Sequence, residues 1–269
     1  MDFGEIFKDA LHYPISDYKK LLILGILFLV INLPSIITGF GINIGVLLLL
    51  MVIVSILLML LVYGFGVSVI RNSIDLNNEI PDFDWANNFT DGGKFVIINF
   101  IYFIIPSIII AVVAFISGFG PISTIFSSRN MDKFAQLNAG STTADMYSIV
   151  PQEVWNSLLI AIFITVIVAI VLFIIFYIFD AVAVCRFAKH DSLDEGLNFR
   201  EVFDDAKQIG IIRIIVFLIV LCIISVVLAL IISFISLIPY LGRIIAILVG
   251  YPFILLFGSR ALGLLYSDI

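Results

Sequence analysis

The chain has 269 residues, 62% of them hydrophobic and 13% charged, with a mean hydropathy of +1.22; soluble domains run near roughly 45–50% apolar and about 25% charged. Charge-free apolar runs of about 20 residues cannot be hidden in a soluble core, so the composition excludes a soluble fold and implies a polytopic membrane protein. The net charge of −6 excludes the electrostatic footprint of a nucleic-acid binder, and no polybasic segment offers a grip on anionic lipid.

In chain order, Phe3, Ile6, Phe7, Ala10 and Leu11 fall on one face of an amphipathic helix that Pro14 interrupts. Lys19 and Lys20 anchor a first span over 21–38, which carries Asn32 and Pro34. A Gly39, Phe40, Gly41 turn leads to a second span over 42–70, where Gly64 and Ser68 permit close helix contact before Arg71. Pro81 is expected to start a second amphipathic helix, with Trp85, Phe89, Gly92 and Val96 as its apolar stripe, feeding a third span over 95–116 that contains Asn99 and Pro106. Residues 118–153 read as one long external loop, rich in Ser, Thr, Asn and Gly around Asn138 to Thr143. A fourth span covers 154–184. Ser192 and Glu195 then have capping-box spacing, ahead of a third amphipathic helix with Phe199, Val202, Phe203, Ala206 and Ile209 on its apolar face. Spans over 211–238 and 241–265 close the chain, joined at Pro239 and Gly242, and the last carries Tyr251, Pro252, Gly258, Ser259 and Arg260.

Placing both termini on the cytoplasmic side of the cell membrane puts all but Arg129, Lys133 and Arg243 of the 14 Lys and Arg inside, as the positive-inside rule requires. Most acids fall on the same side.

The three amphipathic segments share a signature: Phe3, Phe7, Asp9, Ala10; Trp85, Phe89, Asp91, Gly92; Phe199, Phe203, Asp205, Ala206. With two spans each, repeats over 1–71, 81–186 and 197–265 would be parallel. The expected fold is therefore all-α: one integral membrane domain over 1–269, its six transmembrane helices forming three parallel helical hairpins. Each hairpin follows an interfacial amphipathic helix lying against lipid headgroups or the inner rim of the bundle. The opening pattern over 1–24, the small-residue span end with Arg71 and the acidic segment 81–93 resemble a prokaryotic membrane family, domain of unknown function family 4013, common in methanogenic archaea. The resemblance covers nearly the whole chain. It implies a multi-span membrane protein of archaeal type with unassigned activity, and it supplies no catalytic residues.

Ionisable residues inside spans are expensive and usually functional. Asp180, late in the fourth span, is the first candidate, with Arg186, Arg213 or Arg260 as ion-pair partners. Arg243 and Arg260 read as snorkelling anchors at opposite interfaces. Asn32 and Asn99, with Pro34, Pro106 and Pro252, are the groups around which a transport site could be built from broken helices. The acidic groups Glu79, Asp82, Asp84 and Glu201, Asp204, Asp205 read as solvated helical faces, since no calcium-loop spacing is present. His12 and His190 lie in different segments, and Cys185 and Cys222 at different depths. No metal site, cofactor site, disulfide or catalytic constellation is expected. The leading expectation is a non-catalytic membrane-organising or accessory component that binds membrane lipid, other membrane proteins or a second copy of itself, with no nucleic-acid partner. The alternative is a secondary transporter or channel for a small or amphiphilic solute, which a polar midplane cavity at Asn32 and Asn99 would favour.

Overall fold

The computed structural model describes residues 1–39, 41, 45–137, 142, 147–238 and 241–268. Helix α1 (Phe3–His12) passes through a 3-10 turn (Tyr13–Ile15) into α2 (Tyr18–Gly39), followed by α3 (Val46–Ile74), α4 (Trp85–Ile125) and α5 (Ser128–Ala135). Next come α6 (Gln152–His190), α7 (Leu193–Gly196), α8 (Phe199–Ile209) and α9 (Ile211–Ser236). Helix α10 (Leu241–Ile245), a π turn (Ala246–Gly250) and α11 (Tyr251–Tyr266) form the last span. No strand occurs among the described residues. Six helices, α2, α3, α4, α6, α9 and the α10–α11 run, are long and apolar enough to cross a membrane. The protein is a helical, multi-pass membrane bundle.

Two of these helices far exceed a span. Helix α4 has 41 residues and α6 has 39, about 60 Å each at 1.5 Å per residue against about 30 Å of hydrocarbon. Their length corrects the long-loop expectation for 118–153: α4 continues through Gly118 and Pro121 to Ile125, and Ser128–Ala135 is helical. Most of the run from Asn138 to Thr143 lies outside the described residues, as do Phe40 and Pro239 of the two tight turns.

The three junctions between amphipathic helix and span differ. Pro14 turns the chain through the 3-10 segment before α2, whose first turn is capped by Asp17 accepting from Lys19 N at 3.0 Å. Gly210 breaks α8 from α9 at φ +97°, a left-handed conformation that strains any residue with a Cβ. The second junction has no break, and the amphipathic turns of α4 run straight into the span. That helix starts at Trp85 rather than at Pro81, with Asp84 accepting from Asn87 N at 3.1 Å. The capping box expected at Ser192 and Glu195 does not form. Asn198 caps α8 instead, accepting from Glu201 N.

The chain divides into two compact units, residues 1–100 with 178–269, and residues 101–177. In the first, α2, α3 and α11 share a core of Leu21, Leu24, Leu61, Val62, Phe65 and Leu256. Small residues bring backbones into contact: a Cβ on Gly64 would overlap the Asn88 carbonyl, and one on Gly263 would overlap Ser73 and the Ile70 carbonyl. Helix α1 lays Phe7 on Phe217 at 5.0 Å between ring centroids, with Phe257 at 6.4 Å, so its apolar face is covered by protein. In the second unit, Phe103 meets Phe173 at 6.0 Å and Tyr147 meets Trp155 at 5.1 Å. The exposed Ile, Val and Phe of its long helices suit contact with hydrocarbon.

Candidate functional site

Within the first unit, the ends of α3, α6 and α11 each carry an arginine that holds an aspartate of an amphipathic helix. Arg71 binds Asp91 of α4 at 3.0 Å, Arg186 binds Asp205 of α8 at 2.8 Å, and Arg260 binds Asp9 of α1 at 2.7 Å. The first two pairs join neighbours in sequence, 20 and 19 residues apart; the third reaches back across 251 residues. Linked in this order, the three pairs form a closed cycle of contacts. The signature aspartates found in the sequence are thus all partnered, and Asp91 and Asp205 are buried.

Arg260 is 1% exposed, and a buried guanidinium requires every N–H to be satisfied. Its five donors are all engaged. Nε and Nη2 donate to the Asp9 carboxylate at 2.7 and 3.3 Å, Nη2 also to Asn78 Oδ1 at 2.7 Å, and Nη1 to the Asn77 carbonyl at 2.5 Å and Ser73 Oγ at 3.5 Å. The guanidinium lies 4.8 Å from the centre of the Tyr13 ring, a cation–π contact. Burial pushes the Tyr13 hydroxyl pKa up, and the hydroxyl donates to the Glu79 carbonyl at 3.0 Å. This corrects the reading of Arg260 as a snorkelling anchor; Arg243 is exposed, near Gly39.

Arg186 gathers acids instead. Nε and Nη2 donate to Glu195 at 3.0 and 2.6 Å, Glu201 lies 3.6 Å away, and Tyr266 donates its hydroxyl to Asp205. Arg71 bonds the Ala188 carbonyl and Asp191, both at 2.8 Å, while Lys94 approaches Asp91 at 3.4 Å. Asp205 is therefore a partnered core acid rather than part of a solvated face. No group of acids, histidines or cysteines suited to a metal occurs among the described residues.

The expected partners of Asp180 are engaged elsewhere: Arg186 and Arg260 as above, and Arg213 with Asp268 at 2.6 Å and the Met1 carbonyl at 2.8 Å. Asp180 is 5% exposed and its Oδ1 has no partner among the described residues, which corrects the ion-pair reading. Asn32 donates to the Phe28 carbonyl at 2.8 Å and Asn99 to the Phe95 carbonyl at 3.0 Å, each on its own helix. Pro34 and Pro106 sit inside unbroken helices. Pro252 alone accompanies an irregularity. It lacks the N–H that would bond the Leu248 carbonyl four residues earlier, the preceding turn widens to π, and Gly25 of α2 packs so closely that a Cβ there would overlap that carbonyl.

A cavity of about 500 Å³ opens beside the Asp9–Arg260 pair, with Glu5, Lys8, His12 and Tyr13 in its wall. A second, of about 220 Å³, lies between α9 and the last span and is lined by Ile, Leu, Val, Ala, Gly and Phe. Neither includes Asn32, Asn99 or Asp180. The pairing was legible as a spacing, since a span-ending arginine is followed 19 or 20 residues later by the signature aspartate; only the return of Arg260 to Asp9 has no local signal. Residues 46–237 match the family described as "Protein of unknown function (DUF4013)". No curated protein and no solved structure matches the chain.

Proposed function

The chain belongs to the DUF4013 family, and we propose that it serves as a non-catalytic organising or accessory component of the cell membrane, with both termini cytoplasmic, binding lipid or membrane partners through its charged end. One observation carries this reading: the asparagines, the proline-freed carbonyl and the arginine on which a solute path would depend are engaged within the protein. Asn32 and Asn99 bond their own helices, the carbonyl opposite Pro252 is covered by Gly25, and Arg260 has no free donor. A transport site needs such groups turned toward a cavity.

The same reading takes the chain as three parallel helical hairpins over 1–71, 81–186 and 197–265. The cycle of Asp–Arg pairs supports it, because each arginine ends one repeat and each aspartate begins the next. Trp85, Phe89, Phe199 and Phe203 are 41–53% exposed, as suits aromatic side chains at a membrane interface.

Native mass spectrometry of the protein extracted mildly from its own membranes tests the proposal. A stoichiometric lipid or protein companion is the expected result, and a bare monomer argues against it. The unpartnered buried carboxyl of Asp180 favours the second reading, a transporter. Solute flux in liposomes that falls in Asp180→Asn would replace the accessory role with that one.

A further inference from the structure

Residues 101–177 form their own compact unit, and the part of α4 within it has two unlike faces. Tyr102 and Pro106 are buried, whereas Val112, Phe115, Phe119, Ile122 and Phe126, on the far side of the helix, are 45–67% exposed. These five follow one another at intervals of three, four, three and four residues, the spacing of a coiled-coil seam.

Within hydrocarbon such a stripe would mean little, because every face of a span is apolar. Beyond Ile116, however, Ser117, Gly120, Ser123, Thr124 and Ser127 occupy the other positions, and only the seam and the buried Ile125 keep large apolar side chains. The same level of α6 is polar. Phe103 meets Phe173 at 6.0 Å, and consecutive spans run in opposite directions. Counting outward along both helices from that contact sets Phe119 level with Ser157 and Ile122 level with Val154. The neighbouring Gln152, Glu153 and Asn156 are exposed, and Trp155 is half-buried there, as suits a bilayer surface. Phe119, Ile122 and Phe126 therefore emerge from the hydrocarbon on an apolar line that nothing among the described residues covers.

We propose that two copies of this chain meet along that line, α4 against α4, parallel and in register about a two-fold axis along the membrane normal. Two features select a second copy as the occupant. In a parallel pair each seam residue meets its own equivalent, so every copy supplies a matching stripe at the same height above the membrane. Residues 95–128 carry no charge, so no flanking group repels a like chain or encodes a different partner. This deepens the accessory reading, on which it rests, by naming a second copy as a membrane partner.

Single cysteines test the seam in the full chain, in native membranes under mild oxidation, with the exposed Cys222 replaced by Ser. Phe119→Cys and Ile122→Cys should each give a disulfide-linked band of twice the chain mass, at least tenfold stronger than Thr124→Cys, which is exposed on another face of the same helix. Native mass spectrometry of the chain without introduced cysteines should show a dimer whose fraction falls at least tenfold in the double variant Phe119→Ser, Phe126→Ser. Helicity by circular dichroism should not change, because both side chains are exposed. Equal cross-linking at Thr124 and Phe119, a dimer indifferent to the serine variant, or an adduct of Phe119→Cys with a protein of another mass overturns the seam and leaves the accessory role standing. A monomer that retains lipid does the same. A monomer with no companion of any kind overturns both.

Discussion

Arg260 and Arg71 end two helices that meet along their length, and each holds an aspartate, yet one guanidinium is sealed and the other is open. The Arg260 side chain is 1% exposed and that of Arg71 is 31% exposed. The difference traces to the next turn of helix. Three residues beyond Arg260 stands Gly263, which lets α3 approach to the point where a Cβ would strike Ser73 and the Ile70 carbonyl; three beyond Arg71 stands Ile74. Close approach brings Ser73, the Asn77 carbonyl and the Asn78 side chain over Arg260, and neutral acceptors complete its shell. Arg71, left in reach of solvent, takes the exposed Asp191 as its second acid. The same two residue types thus bury the arginine in one place and the aspartate in the other, Asp9 being 35% and Asp91 5% exposed, according to how near the neighbouring backbone can come.

Arg260→Met breaks the comparison most severely. It leaves Asp9 without its cation and Asn78 and Ser73 without a donor, and should cost about 3 kcal/mol, the upper end for loss of hydrogen bonds to a charged group, read as loss of denaturant resistance in detergent. A cost below about 1 kcal/mol would show that Arg260 is not sealed. Gly263→Val attacks the cause rather than the pair. Forcing α3 and α11 apart should cost about 1–3 kcal/mol and raise the accessibility of Arg260 to guanidine-modifying reagents. Arg186→Gln, at a site with several acids within reach, should cost about 1.5–3 kcal/mol. Arg71→Gln should cost about 1–3 kcal/mol, as for a buried group that loses a hydrogen-bond partner, with Lys94 at 3.4 Å from Asp91 holding it toward the low end, and adding Asp91→Asn to this background measures the coupling directly.

The smallest effect concerns acid. Burial raises the Asp268 carboxyl, but hydrogen bonds from the Met1 ammonium and Arg213 outweigh it and hold the group below its usual range. A carboxylate with a depressed folded pKa stabilises the protein fully above its unfolded value and loses that contribution as pH falls through the folded one. The stability difference between wild type and Asp268→Asn, less than about 1 kcal/mol for so exposed a pair, should therefore be present at neutral pH, begin to fall near about pH 4 and vanish only below the depressed folded value.

The six spans were legible because a long apolar run has few alternatives in water or lipid, and the signature aspartates were legible because a charge recurred on an otherwise repeated apolar face. The partners were not. Asp180 drew attention as the acid within a span, and Arg186, Arg213 and Arg260 were assigned to it by depth alone, but depth does not distinguish one helix from its neighbour. Arg260 was read as an anchor because a terminal arginine usually reaches water; Gly263 and the Asn77–Asn78 segment prevent that. Pro252 carried a true signal of irregular backbone, and its consequence depended on Gly25, more than two hundred residues earlier.

By itself, then, the sequence determined that this is a multi-pass helical membrane protein, where its amphipathic helices lie and which acids they share, because hydrophobic periodicity and run length are local properties. Tertiary structure alone decided which arginine each aspartate meets, which of the three guanidinium groups is sealed from solvent and that Asp180 Oδ1 has no partner among the described residues. Those outcomes depend on how closely two backbones approach, and a glycine on one helix sets that distance only once the other helix is in place.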